Sequence, residues 1–406
     1  MYDRRSSVLF PDAVADSDVI LYRHGCWAYT ADGRSLLDFN IQSSGGAFGH
    51  HNARLDAVAI AASCVYEERG EQAAVDAQDG LSRILCQATF ADQSIICSGV
   101  ASARNLAIDA AIALFRKRSP ASDIHITRFS PSEGACKVGK RAGVTRKLSR
   151  AALNGTGHAD AKIRHVNGGF EILEKSINCG TAAILVDCME CGFERPQLTV
   201  EHLSELRDLC DFYNLQLIFD EGRIGIGRSG HVFAYEPMGV VPDALVTGRE
   251  VGGPFKIGFC LMTNEAAQGV SLCRDSKRTV ARASIKSIAY ASSTIAMMTD
   301  RAFATHVRSM SRRITTRLKR LALRFPFIVR NTRCVGLKFE IECFSESREL
   351  HLLMKEEGLL SAISQSSKII LTPPLVISAT EVDEGIGRIN RALTRLKKSR
   401  GLSAAV

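Results

Sequence analysis

Ser98-Gly99 stands between a short apolar run and a stretch of helical periodicity, where free backbone N–H groups and a hydroxyl meet an anion. Asp220 closes the apolar run 215–220, a position from which a carboxylate pairs with a cation or caps a turn. Arg223 follows it, and Arg249 lies just past the apolar run 244–247. An arginine stays charged in any protein setting, so Arg249 offers neither nucleophile nor base. It does match carboxylates and phosphates as a planar fork. Ser98, Gly99, Arg223 and Arg249 together are therefore equipped to bind a small anion. Lys256 is the amine closest in sequence to Arg249, across the turn Gly252-Gly253-Pro254. Using it at the same place would need a rebuilt loop, and it reads as an exposed residue at the start of an apolar run. Cys188-Met189-Glu190-Cys191 is the one CxxC. No second Cys or His pair stands at zinc-site spacing, so it reads as a structural pair and no metal is expected.

These residues need rigid elements to hold them. Short apolar runs of buried-strand length fall at 94–97, 124–129, 182–187, 215–220, 244–247 and 258–262, with amphipathic helical stretches at 103–117, 168–176 and 200–213 among them. That alternation predicts a mostly parallel sheet covered on both faces, with ligands at the carboxyl ends of its strands. Before it, residues 19–40 predict two or three strands with an Asp32-Gly33 hairpin turn. After it, a long helical stretch at 284–325, a strand at 336–341 and a closing helix at 379–398 predict a smaller α/β unit that the N-terminal hairpin joins. The expected organisation is 1–50 as the N-terminal part of the small domain, 51–285 as the large domain and 286–406 as the C-terminal small domain. Residues 130–160 are polar and basic and read as a loop.

A chain of 406 residues with 46% hydrophobic residues can bury a large core. No apolar run is long enough to span a membrane and no signal-peptide pattern opens the chain, so a cytoplasmic protein without membrane contact is expected. Thirteen cysteines, an odd and scattered set, read as reduced thiols. The formal charge of +9 raises nucleic acid as a partner. Much of the excess gathers at 301–320 and 395–400 without interleaved aromatics or a binding motif, so a solvated helix face is expected and nucleic acid is not.

Several ordered segments carry a resemblance. Gly25-Cys26-Trp27-Ala28-Tyr29, Gly45-Gly46-Ala47-Phe48-Gly49-His50, Leu217-Ile218-Phe219-Asp220-Glu221 with Gly225-Ile226-Gly227-Arg228-Ser229-Gly230, Val240-Val241-Pro242-Asp243, the stretch from Ala244 to Gly258, and Leu371-Thr372-Pro373-Pro374-Leu375 are similar to the class III pyridoxal-phosphate aminotransferases. The resemblance implies fold type I: a large α/β/α domain with a mostly parallel sheet and a smaller α/β domain from both termini. It also implies a homodimer and pyridoxal phosphate as cofactor. Asp220 would pair with the pyridine nitrogen, Ser98 and Gly99 would hold the phosphate, and Thr279 would donate a phosphate hydroxyl across the subunit interface.

Against that pattern the chain departs at several contacts at once. Arg249 stands where the family has its imine-forming lysine, and Val100 replaces a phosphate-binding hydroxyl. Glu133 falls near the ring-stacking aromatic, Gly222 replaces the valine under the ring, Arg223 replaces a glutamine near the ring hydroxyl, and Ile370 replaces a carboxylate-binding arginine. A charged Arg249 inside the cofactor cavity would need a carboxylate, with Asp220 or Glu133 as candidates. Two main readings follow. One is a pseudoenzyme: an aminotransferase-like regulator, partner of an active paralogue or binding protein. The other is an enzyme of altered chemistry, using pyridoxal or pyridoxamine phosphate without the lysine, using Lys256, or holding another small anion. An ordinary aminotransferase is the third reading.

Overall fold

The computed structural model describes residues 19–43, 46–119, 123–130, 144–146, 162–187, 198, 200–273, 282–345, 347–364 and 368–401. Its N-terminal strands β1 (Ile20–His24), β2 (Trp27–Thr30) and β3 (Ser35–Asp38) form an antiparallel meander with Gly33 at φ 82° in the expected turn. Helices α1 (Ala53–Arg69) and α2 (Glu71–Ala88) lead to β4 (Gln93–Cys97) and α3 (Val100–Arg118). Then come β5 (His125–Ser130), β6 (Val144–Arg146), β7 (Lys162–Asn167), α4 (Phe170–Ser176), β8 (Thr181–Val186), α5 (Val200–Phe212), β9 (Gln216–Asp220), β10 (Ala244–Thr247), β11 (Gly258–Met262) and α6 (Asn264–Leu272).

The central sheet has the order β4-β11-β10-β9-β8-β5-β7-β6. Only β11 and β6 run against the others. Every residue of β8, β9, β10 and β11 is buried, as expected of strands covered on both faces. Alternation sorts their side chains: Val186, Phe219, Leu245 and Phe259 enter one core, and Leu185, Ile218, Val246 and Cys260 enter the other. The second core lies under α3 and α6, which approach closely because Gly269 has no side chain to strike Ala110. Each fully buried Phe or Leu in these layers contributes about 1.5–3 kcal/mol.

Beyond the sheet, α7 (Ile285–Met298) and α8 (Arg301–Arg324) reproduce the long helical stretch as two helices broken at Thr299-Asp300, where Asp300 caps α8. Strands β12 (Val329–Val335) and β13 (Lys338–Cys343), helix α9 (Ser347–Glu356), strands β14 (Leu359–Leu360), β15 (Ala362–Ile363) and β16 (Ile369–Leu371), and helix α10 (Ala379–Ser399) complete the chain. An antiparallel sheet has the order β12-β13-β16-β15, and β14 pairs in parallel with β3, so the C-terminal region completes the N-terminal meander. Ser378 and Glu381 form a capping box at the start of α10.

The region read as one loop, 130–160, contains β6, the edge strand of the sheet, and β7 follows it as the next strand in. The remainder of that region after Ser130 lies outside the described residues, as do Glu133, the Cys188–Cys191 motif and Thr279. All ten described cysteines are free. Among the described residues no helix is long and apolar enough to cross a membrane, and no cluster could hold a metal. The basic stretches are partly paired: Arg313 and Arg317 meet Asp383, Arg395 meets Glu356 and Glu357, and Arg400 meets Glu349.

Candidate active site

The carboxyl ends of β4, β8, β9 and β10 lie on one edge of the sheet and deliver Ser98-Gly99, Asp187, Asp220 and Arg249 there. Gly99 is the N-cap of α3 without a side-chain cap, and the Ser98 hydroxyl lies 3.3 Å from that of Ser102. Gly258, at the start of β11, is packed so tightly on Gly99 that a Cβ there would come within 2.3 Å of its backbone. The phosphate-type turn and the helix end are thus present in the expected place.

Asp220 is buried, but its partner is not Arg249. Arg104, from the second turn of α3, donates through Nε to Oδ2 at 2.5 Å and through Nη2 to Oδ1 at 3.1 Å. The backbone N–H of Gly222 adds a third bond, to Oδ1 at 3.0 Å. Burial opposes the charge on Arg104, yet the bonds and charge of Asp220, with Asp187 behind, hold its pKa above the usual guanidinium value. This fork is what a bidentate arginine–carboxylate pair should look like. Sequence reasoning missed Arg104; the signal was an arginine four residues inside the helix that follows Ser98-Gly99-Val100.

Arg249 is exposed and makes no side-chain hydrogen bond or ion pair among the described residues. The expectation that it fills a cavity against Asp220 is corrected: Asp220 is engaged by Arg104, and Glu133 lies outside the described residues. The neighbour of Arg249 accounts for its outward course. Glu250 adopts φ 76° and is buried against Arg228, which is fully buried and donates to both Glu250 carboxylate oxygens and to the carbonyls of Leu337 and Pro373. That pair takes the inward place beside position 249. Lys256 is exposed ahead of β11.

Val100 and Gly222, two separate departures in the sequence, are one feature in space. A Cβ on Gly222 would stand 2.5 Å from Val100 Cγ1 and 3.1 Å from Arg104 Nη2. The valine methyl fills the room left by the missing side chain. Arg223 is exposed, with its Nε 3.5 Å from Asp187, and its carbonyl accepts bonds from Gln42 Nε2 and Lys338 Nζ, both at 3.0 Å. Burial, helped by the charges of Arg228 and Arg249 and opposed by Asp187 and Glu340, lowers the Lys338 pKa to about 8. Glu221 turns away to accept the N–H groups of Ala234 and Tyr235, and burial raises its pKa to about 8.

These residues do not fit pyridoxal phosphate in the manner the resemblance implies. The charge of Asp220 that would favour a protonated pyridine nitrogen is already balanced by Arg104, whose guanidinium forks both of its oxygens. The resemblance leads one to expect the imine-forming amine at position 249, where this chain has an arginine. Val100 and Arg104 press into the space beside Gly222 where one ring face would be covered.

The Gly46–Gly49 turn lies elsewhere, lining a cavity of about 420 Å³ with His50, Asp56, Lys286 and Tyr290.

Comparison with known proteins agrees with this architecture. The family model for aminotransferase class III matches residues 138–393. Acetylornithine aminotransferase of Agrobacterium fabrum is 31% identical over 385 residues, covering 92% of each chain. Succinylornithine transaminase of Yersinia pseudotuberculosis is 25% identical, again covering 92% of each. Among solved structures, ornithine aminotransferase from Toxoplasma gondii ME49 superposes with a TM-score of 0.78 at 20% identity, covering 97% of this chain and 94% of its own. N-acetylornithine aminotransferase from Stenotrophomonas maltophilia K279a gives 0.74 at 20%, covering 94% and 96%. The fold is type I, and pyridoxal phosphate is the cofactor that the likeness implies. Matched by the family model over most of its length and by a curated relative over nearly all of it, this chain belongs to the class III aminotransferases.

Proposed function

We propose that this protein is a non-transaminating member of the class III aminotransferases, a pseudoenzyme whose scaffold serves as a regulator, partner or binding protein. The observation that carries the reading is the bidentate Arg104–Asp220 pair, which occupies the carboxylate that would polarise the cofactor ring. Arg249 adds to it, because its guanidinium neither condenses with an aldehyde nor shuttles a proton. The acetylornithine and succinylornithine transaminases among its relatives suggest the pathway neighbourhood from which it diverged. Class III aminotransferases are typically homodimers, and a second copy of this chain is the partner we expect.

The test is spectroscopic. Purified protein is titrated with pyridoxal phosphate, scanned for a protonated aldimine, reduced with borohydride and mapped by peptide mass spectrometry, alongside a transamination assay with acetylornithine and ornithine. No aldimine band and no amino-group transfer are expected. A reducible band mapped to Lys256, or turnover of either amine, would overturn the reading.

A further inference from the structure

We infer that the cavity between α1 and α7 is a binding site for a free aromatic α-amino acid. None of the strand-end residues Ser98, Asp187, Asp220 and Arg249 lines it, so the inference stands whether or not that crevice transaminates.

The cavity, about 420 Å³, has the size of an ordinary small-ligand pocket, and each helix sets a pair of side chains on it. Asp56 and Ile60 stand four residues apart on α1, and Lys286 and Tyr290 four apart on α7, so each pair shares one helix face. Phe255 also lines the cavity, its ring edge-on to that of Tyr290 with centroids 6.3 Å apart. Tyr290 is buried there because Gly253, at φ 58°, has no side chain: a Cβ on it would stand 2.3 Å from Tyr290 Cζ. Two rings and Ile60 give the walls an apolar surface that suits an aromatic body.

Polar groups stand at two depths. Lys286 is exposed at the rim and makes no hydrogen bond or ion pair among the described residues. Asp56, half-exposed on the facing helix, has His51 at 3.8 Å as its one ionic neighbour among the described residues. An ammonium and a carboxylate on opposite helices complement the carboxylate and ammonium of a zwitterion. Deeper in, His50 Nε2 lies 2.8 Å from Oδ2 of the buried Asp38. A carboxylate only accepts, so Nε2 carries the proton and Nδ1 is left as an acceptor, without a partner among the described residues. The Tyr290 hydroxyl has no partner there either, and burial, with the charge of Asp56, raises its pKa to about 12, so it stays a donor. A donor and an acceptor at the buried end of an aromatic pocket fit a ring hydroxyl, which favours tyrosine over phenylalanine.

Isothermal titration of the full-length protein with L-tyrosine, L-phenylalanine and L-alanine tests the assignment. Saturable binding is expected, tightest for tyrosine and weakest for alanine. Lys286→Met and Asp56→Asn, both at the rim, should each weaken tyrosine by about tenfold, as for a lost charged hydrogen bond, without moving the thermal unfolding of the free protein by more than a few degrees. Tyramine, which lacks the carboxylate, should bind the unaltered protein about tenfold more weakly than tyrosine, and Lys286→Met should cost it nothing further. No saturable heat at millimolar tyrosine would overturn the inference. So would tyrosine affinity indifferent to both rim substitutions, or tyramine binding as tightly as tyrosine; a loss seen with Arg249→Ala in their place would move the ligand to the strand-end crevice.

Discussion

At Asp220, two arginines could have been the partner, and geometry chose the one on the helix. Arg104 reaches the carboxylate across the first turns of α3, whereas the chain at Arg249 is turned outward by its neighbour. Arg104→Ala should therefore leave a buried carboxylate short of two bonds and lower stability by about 2–4 kcal/mol in urea denaturation. Arg249→Lys alone should give no transaminase activity, since Asp220 stays engaged; turnover by that single variant would contradict the assignment. Lys338 gives a pH-dependent prediction. Burial lowers its folded pKa to about 8 from the ordinary lysine value of 10.5, so the fold penalises the charged amine. Lys338→Met should raise stability by about 1–3 kcal/mol at pH 7, and the gain should fade as pH rises from about 8 to above 10, where the wild-type amine is neutral in both states. Thermal unfolding across that range checks both sign and window.

Among the elements, α3 carries the clearest case of compensation. Val100 on its first turn and Gly222 after β9 share one volume, so Gly222→Val alone should overpack by about 1–3 kcal/mol. With Val100→Ala the cost should shrink, and a double-mutant cycle by denaturation should return a coupling above about 0.5 kcal/mol. Strict additivity would show that the two positions do not share that space. The strands β8 to β11 were legible in the sequence because each is a continuous apolar run closed by polar or glycine residues. Helices α1 and α2 were not, because α1 scatters its apolar residues around the barrel and buries only Leu55 and Ala59. Strand β7, Lys-Ile-Arg-His-Val-Asn, hides its two apolar residues among charged and polar ones, between β5 and the edge strand β6. The site was legible in its anchor points, Ser98, Gly99, Asp220 and position 249. Its pairing was not, because Arg104 is far from Asp220 in sequence, Lys338 is far from Arg223, and only packing brings each to its partner.

For the whole molecule, the N-terminal meander and the C-terminal region form one structure through β3 and β14, and that structure meets the central sheet around Arg228. This side chain touches the turn before β13, the backbone after β16 and Glu250 beside the crevice, with no exposure on either partner. Replacing Arg228 by Met should cost about 3–5 kcal/mol, because Glu250 would be left as a buried charge held in a left-handed backbone conformation. Calorimetry of the single variant against Arg228→Met/Glu250→Gln should show the double substitution to be the milder. Analytical ultracentrifugation should find two copies per particle at micromolar concentration; a monomer would remove the expected partner.

The Arg228–Glu250 pair also constrains motion. Any hinge that swung the β13 turn away from the central sheet would strand a bare guanidinium and a bare carboxylate in apolar surroundings. Slow amide exchange at Leu337, whose N–H is bonded to the Arg228 carbonyl, would be the mark of that clasp. The clasp ties the turn before β13 to the backbone beside Glu250, so a displacement of either would carry the other with it.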